Sequence, residues 1–121
     1  MRRRAHYLFV VPVLTIAMLI AGCDLGCANE EAFTIATPDG SLRAVVFSRD
    51  CGATTGFSTH VSVVPGRERL PNDGGNVLVL DGQVKLEVSW LADNKLRIKG
   101  VNSARVFRQQ ASVLGVEVSY E

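Results

Sequence analysis

The chain has 121 residues, 47% of them hydrophobic, and a formal charge of +1 from 13 basic and 12 acidic side chains. That length allows one domain. The only basic run is Arg2-Arg3-Arg4 and aromatics make up 7%, so the charged stripe and stacking residues of a nucleic-acid binder are missing and no nucleic-acid partner is expected.

The three arginines open an apolar run, Tyr7 to Ala21, interrupted by Pro12 and Thr15. Its 15 residues fall short of the ~20 that span a bilayer as a helix. Leu8, Val10, Val11, Val13, Leu14, Ile16, Met18 and Leu19 leave no polar face, which argues against a helix packed on a soluble core. A positive start, an apolar middle and small residues before Cys23 are the layout of an export signal. A twin-arginine signal is disfavoured because Ala5-His6 stands where two apolar residues would follow.

Ile20-Ala21-Gly22-Cys23 resembles the lipobox of bacterial lipoproteins, with Ile20 in place of the usual leucine. The resemblance implies transfer of diacylglyceryl to the Cys23 thiol, cleavage before Cys23 and fatty acylation (palmitate) of the new amine. One acyl chain binds a membrane only marginally, whereas two or three hold firmly. The rival is ordinary cleavage nearby, leaving a soluble secreted protein. Asp24 follows directly; in enteric Gram-negative lipoproteins an aspartate there favours the inner membrane. The expected place is therefore the cell membrane, facing the periplasm or exterior. The expected organisation is a signal helix over 1–22, a tether over 23–32 and a β-domain over 33–121. Loss of residues 1–22 removes three arginines, leaving 99 residues and a charge of −2.

With Cys23 carrying lipid, Cys27 and Cys51 are left as an even pair, and an oxidising envelope favours a disulfide between them. The alternative is a nucleophilic Cys51, which needs a base, and His60 is the only histidine after Cys23.

From Phe33 onward the pattern is β. Phe33–Thr37 alternates in part, and Thr37-Pro38-Asp39-Gly40 is a strong turn into the β-branched run Leu42–Ser48, so a hairpin is expected. Ser58–Val64 reads as a strand ended by Pro65-Gly66. After Asn72-Asp73-Gly74-Gly75, Val77–Leu80 is apolar on both faces and reads as a central strand ended by Asp81-Gly82. Val84, Leu86, Val88 and Trp90 alternate with Gln83, Lys85, Glu87 and Ser89, which puts the first set on the core. Leu96 and Ile98 continue that face after Asp93-Asn94-Lys95. Ala104–Arg108 is a further strand, and Val116, Val118 and Tyr120 mark a closing one. These elements predict an all-β fold: a small antiparallel meander, as a rolled sheet or two-layer sandwich. Thr37-Pro38-Asp39-Gly40 also resembles the turns of periplasmic β-propeller blades, but 99 residues supply about two blades where at least four are needed.

Arg49-Asp50-Cys51-Gly52-Ala53-Thr54-Thr55-Gly56-Phe57-Ser58-Thr59-His60 departs from this pattern, being rich in small and hydroxylated residues that suit a shaped loop. With Asn29-Glu30, the Pro-Asp-Gly turn and Asn72-Asp73-Gly74-Gly75-Asn76-Val77, it resembles a family of uncharacterised bacterial exported proteins, many of them lipoproteins. The likeness covers most of the chain after Cys23, and Arg-Asp-Cys-Gly-Ala-Thr-Thr is its distinctive part. It implies no activity; it does imply a cysteine near the mature start paired with Cys51.

Candidate loop residues are Arg49, Asp50, Thr54, Thr55, Ser58, Thr59 and His60. Asp50, Ser58 and His60 suggest a hydrolytic triad. Against it, side chains two apart on a strand stand ~6–7 Å apart, and Gly56-Phe57-Ser58-Thr59-His60 fails the Gly-x-Ser-x-Gly elbow at its last position. The favoured alternative is a scaffold in which Asp50 and the hydroxyls bond the loop's own backbone and Arg49 pairs with Asp50 or a neighbouring carboxylate. One histidine and dispersed acids make no metal-ligand set, and no cofactor is expected. The expected function is non-enzymatic: a binding or structural module contacting an envelope protein, a glycan or another copy. The alternatives are an exported inhibitor presenting the 49–60 loop, or a hydrolase using it.

Overall fold

A computed structural model describes residues 26–52 and 56–121. The expected signal helix, Cys23 and Thr54-Thr55 lie outside the described residues. Among the described residues nine strands form two packed sheets, the two-layer form of the all-β fold. In the first sheet the order is β1 (Ala28–Ala36), β2 (Leu42–Asp50), β3 (Phe57–Pro65), β4 (Leu78–Asp81) and β7 (Val106–Gln109), antiparallel throughout. In the second it is β5 (Glu87–Ala92), β6 (Lys95–Lys99), β9 (Val116–Tyr120) and β8 (Ser112–Val113).

One pairing departs from the expected meander. β9 runs parallel to β6, because the chain between them returns to the first sheet as β7 before crossing back. A parallel pair requires a long crossover of this kind. β1 also begins at Ala28, inside the expected tether, so Asn29 and Glu30 are strand residues.

The core lies between the layers. Val46, Val61, Val63, Leu78 and Leu80 from the first sheet meet Val88, Leu96, Ile98, Val116 and Val118 from the second, with Leu86 of the connection packed among them. Complete burial of each such side chain stabilises by roughly 1.5–3 kcal/mol. The alternating set ending in Trp90 contacts this core as expected, although ladder pairing starts only at Glu87. Gln83–Leu86 instead carries the chain between sheets, held where the Val84 N–H donates to Thr59 Oγ1, which in turn donates to Gly82 O. Trp90 Nε1 donates to Ile35 O and closes the seam between β1 and β5. On the other side the Tyr120 hydroxyl donates to Gln110 O at 2.6 Å, and burial pushes its pKa up to about 12.

The Thr37–Ser41 turn works through its aspartate. Asp39 Oδ1 accepts from Thr37 Oγ1, Ser41 N and Ser41 Oγ, and these bonds, those from Ser41 foremost, lower its pKa to about 2. Gly40 supplies the left-handed conformation, φ +73°.

β2 is apolar on both faces for a structural reason. Ala44 and Val46 face the inter-sheet core, while Val45 and Phe47 join Val64 under Leu70 on the outer face. The long β3–β4 connection folds back over the sheet to cover them.

Cys27 and Cys51 are joined by a disulfide across the end of the β1–β2 hairpin, where Ala28 pairs with Asp50. The bridge closes a sequence separation of 24 residues, for which the loop-entropy relation gives about 3–4 kcal/mol. Cys51→Ser should lower unfolding stability by about that amount in urea titration, and reductant should do the same to the native protein.

Candidate functional site

The segments singled out by their composition converge on the outer face of the first sheet. Arg49 of β2 donates from Nη1 to Asn29 Oδ1 of β1 at 2.7 Å and to Asn72 Oδ1 of the β3–β4 connection at 3.1 Å. Asn29 Nδ2 donates to the carbonyls of Pro71 and Asp73. Arg49 thus bonds amide oxygens, not the carboxylate expected of it. Nη1 alone reaches both acceptors, which stand on separate segments, and so ties β1 and the β3–β4 connection to β2.

His60 lies at the centre and is 4% exposed. It stacks on Phe47 with ring centroids 5.0 Å apart. Its Nδ1 accepts the Gly75 N–H at 2.8 Å, and its Nε2 lies 2.7 Å from Ser58 Oγ. The ~6–7 Å spacing expected between these strand neighbours therefore does not keep the side chains apart. The long imidazole leans along the strand and closes the gap that the backbone leaves.

The hydrogen-bond directions settle what this contact does. A backbone N–H can only donate, so Nδ1 is unprotonated and the single imidazole proton is on Nε2. Nε2–H donates to Ser58 Oγ, and the Ser58 hydroxyl donates to Arg49 O at 3.3 Å. A general base would need its lone pair aimed at the serine; here that lone pair faces Gly75. Asp50 does not complete a triad. It pairs with Phe57, on the face opposite His60, and its carboxylate accepts the Gly52 N–H. Burial first, then the charges of Arg49 and Arg108, lower the His60 pKa to about 4.

Asn76 completes the clasp by acting as one more rung of the ladder. Its Oδ1 accepts from Val63 N and its Nδ2 donates to Val63 O, both at 2.8 Å, while its own N–H donates to Ser62 Oγ. Arg108 of β7 donates to Gly75 O from the other side.

Beside the clasp is an open hollow of about 620 Å³, lined by His60, Asp73, Gly74, Asn76, Val79, Phe107 and Arg108. The β4–β7 register slips between Val79 and Leu80, which brings Phe107 and its neighbour Arg108 both to this hollow. Phe107 is 55% exposed, with the Arg105 guanidinium over its ring at 5.2 Å. Sequence periodicity gives no sign of Phe107 and Arg108, because a bulge breaks the alternation on which periodicity depends. Thr59, grouped with Ser58 and His60 by sequence, is on the inner face and serves the inter-sheet connection. Among the described residues, no three His, Cys, Asp or Glu side chains converge as a metal site.

Two outcomes are expected. A Cβ on Gly75 would lie 2.7 Å from the carbonyl oxygens of Val61 and Leu78, whereas one on Gly74 would meet only the His60 ring at 3.6 Å. Gly75→Ala should destabilise by about 1–3 kcal/mol in chemical denaturation, with Gly74→Ala far milder. In the unfolded chain His60 takes up its proton near pH 6.5, but the folded protein resists until about pH 4. Stability is therefore full above pH 6.5 and falls as pH drops to 4, by on the order of 2–3 kcal/mol. Melting curves across that range should show the loss, and His60→Gln should flatten it. The chain matches no known family model, no curated protein and no solved structure.

Proposed function

We propose that this chain is a lipid-anchored protein of the bacterial envelope whose β-sandwich is a non-enzymatic binding or structural module. The observation that carries the anchor is Ile20-Ala21-Gly22-Cys23 at the end of an apolar run headed by Arg2-Arg3-Arg4. The Cys27–Cys51 disulfide supports it, since such bridges persist in oxidising compartments. Attachment is assigned to lipid on Cys23, because the 15-residue apolar run before it falls short of the ~20 residues that span a bilayer as a helix. Asp24 favours the inner membrane.

The module reading draws on how the candidate residues are used. Arg49, Ser58 and His60 are tied into the clasp, and the His60 tautomer disfavours the hydrolase alternative. Of the 49–60 segment, both ends are strand, so an inhibitor would present little beyond the tip of the β2–β3 hairpin. The hollow at Phe107 offers a better recognition surface. An exposed ring flanked by Arg108 and Asp73 suits an envelope glycan or protein segment with an apolar face and polar rim.

Intact mass spectrometry of the membrane-extracted protein tests the anchor. A chain beginning at Cys23 with two or three acyl chains is expected, and Cys23→Ser should lose both the added mass and the membrane fraction. Native protein recovered unmodified, with Met1 in place, would overturn the reading.

A further inference from the structure

We infer that the Cys27–Cys51 end of the sandwich is a bilayer-contact surface, with Phe57 seated in the lipid interface. The inference rests on the lipid anchor at Cys23. Only Asp24 and Leu25 separate Cys23 from Gly26, the first described residue. Fully extended, the backbone from Cys23 to Cys27 reaches at most about 14 Å. The disulfide fixes the end of that short tether to β2, and β2 pairs Asp50 with Phe57 of β3. The anchor and Phe57 therefore leave the same end of one rigid hairpin. The strands are nine residues, about 30 Å, long, so the tether is less than half the height of the domain.

The chemistry of the two ends differs in the direction this requires. At the tether end Phe57 is 45% exposed in the terminal row of the sheet. Val106, 40% exposed, stands two rows in on the same face, where Leu80 pairs with both Thr59 and Val106. A mainly apolar groove of about 450 Å³ lies over Ser48 and Thr59, bounded by Phe33, Val46, Val84 and Leu86. The opposite end is the polar turn region, where the Asp39 N–H donates to Asp93 Oδ1. Leu91, 55% exposed, is near that turn and serves as a matched apolar residue away from the tether. Asp50, Asp81 and Arg105 share the tether end. Their opposing charges make the contact one of an aromatic ring with acyl and glycerol groups, without dependence on anionic headgroups. Aromatic side chains favour that interfacial zone.

The test uses the full chain, matured in bacterial membranes and reconstituted in phosphatidylcholine vesicles brominated on the acyl chain, where bromine quenches nearby indoles. Trp90 is the only tryptophan, and it bonds Ile35 O toward the far end. Native emission should be unquenched. Phe57→Trp should add emission that brominated lipid cuts at least twofold, unchanged by salt, while Leu91→Trp stays unquenched. Val106→Trp gives a second probe at the tether end should Phe57→Trp fold poorly. An acylated, vesicle-bound protein with Phe57→Trp and Val106→Trp unquenched, or with Leu91→Trp quenched equally, overturns this orientation and leaves the anchor standing. A native protein whose mass shows no acyl chains overturns both.

Discussion

The bond from the Gly75 N–H to His60 Nδ1 is the constraint on which the first sheet depends. β2 and β3 are apolar on their outer as well as their inner faces, so Val45, Phe47 and Val64 would face water without a cover. The β3–β4 connection is that cover, but a loop laid on a sheet brings polar backbone groups that need partners. An unpaired buried N–H costs about 1–3 kcal/mol, more than the roughly 1 kcal/mol net gain of one made bond. The neutral His60 imidazole, the Ser62 hydroxyl, the Asn29 amide and the guanidinium groups of Arg43 and Arg108 supply the partners. Gly75 is needed because the backbone comes too close to β3 and β4 to admit a side chain.

Much of the fold was legible because local and tertiary signals agreed. Val84, Leu86, Val88 and Trp90 alternate and meet the core. Thr37-Pro38-Asp39-Gly40 forms the turn its residues specify, and Cys27 bonds Cys51. The parallel β6–β9 pair was not legible, since hydrophobic alternation reports which face a strand buries and not which neighbour it pairs with. β8, two residues long, is too short for any periodicity. At the candidate site the residue types were visible, but the bonds that join β1, the β3–β4 connection and β3 span 13 to 44 positions. Arg49 offered carboxylates in sequence and found asparagine oxygens in space. Ser58 and His60 look like catalytic neighbours in one dimension. Their proton order follows only from the distant Gly75.

The arrangement separates scaffold from surface. His60, Ser58, Arg49 and Asn76 spend their hydrogen-bonding capacity inside the protein, which fixes the loop and the neighbouring hollow. Phe107 and Phe57 are the two most exposed phenylalanine rings among the described residues, one on the outer face and one at the tether end. In the proposed orientation Phe57 faces the membrane, while the hollow beside Phe107 lies on the outer face of the first sheet. The disulfide joins these parts by holding the tether against the hairpin that carries Arg49.

The protonation of His60 tests the account most directly, and long-range proton–nitrogen NMR of its imidazole reads it. A single proton on Nε2 at neutral pH, with Nδ1 shifted as an acceptor and titration near pH 4, is the predicted spectrum. A proton on Nδ1, or titration close to the ordinary 6.5, would contradict it by returning the free lone pair to Ser58.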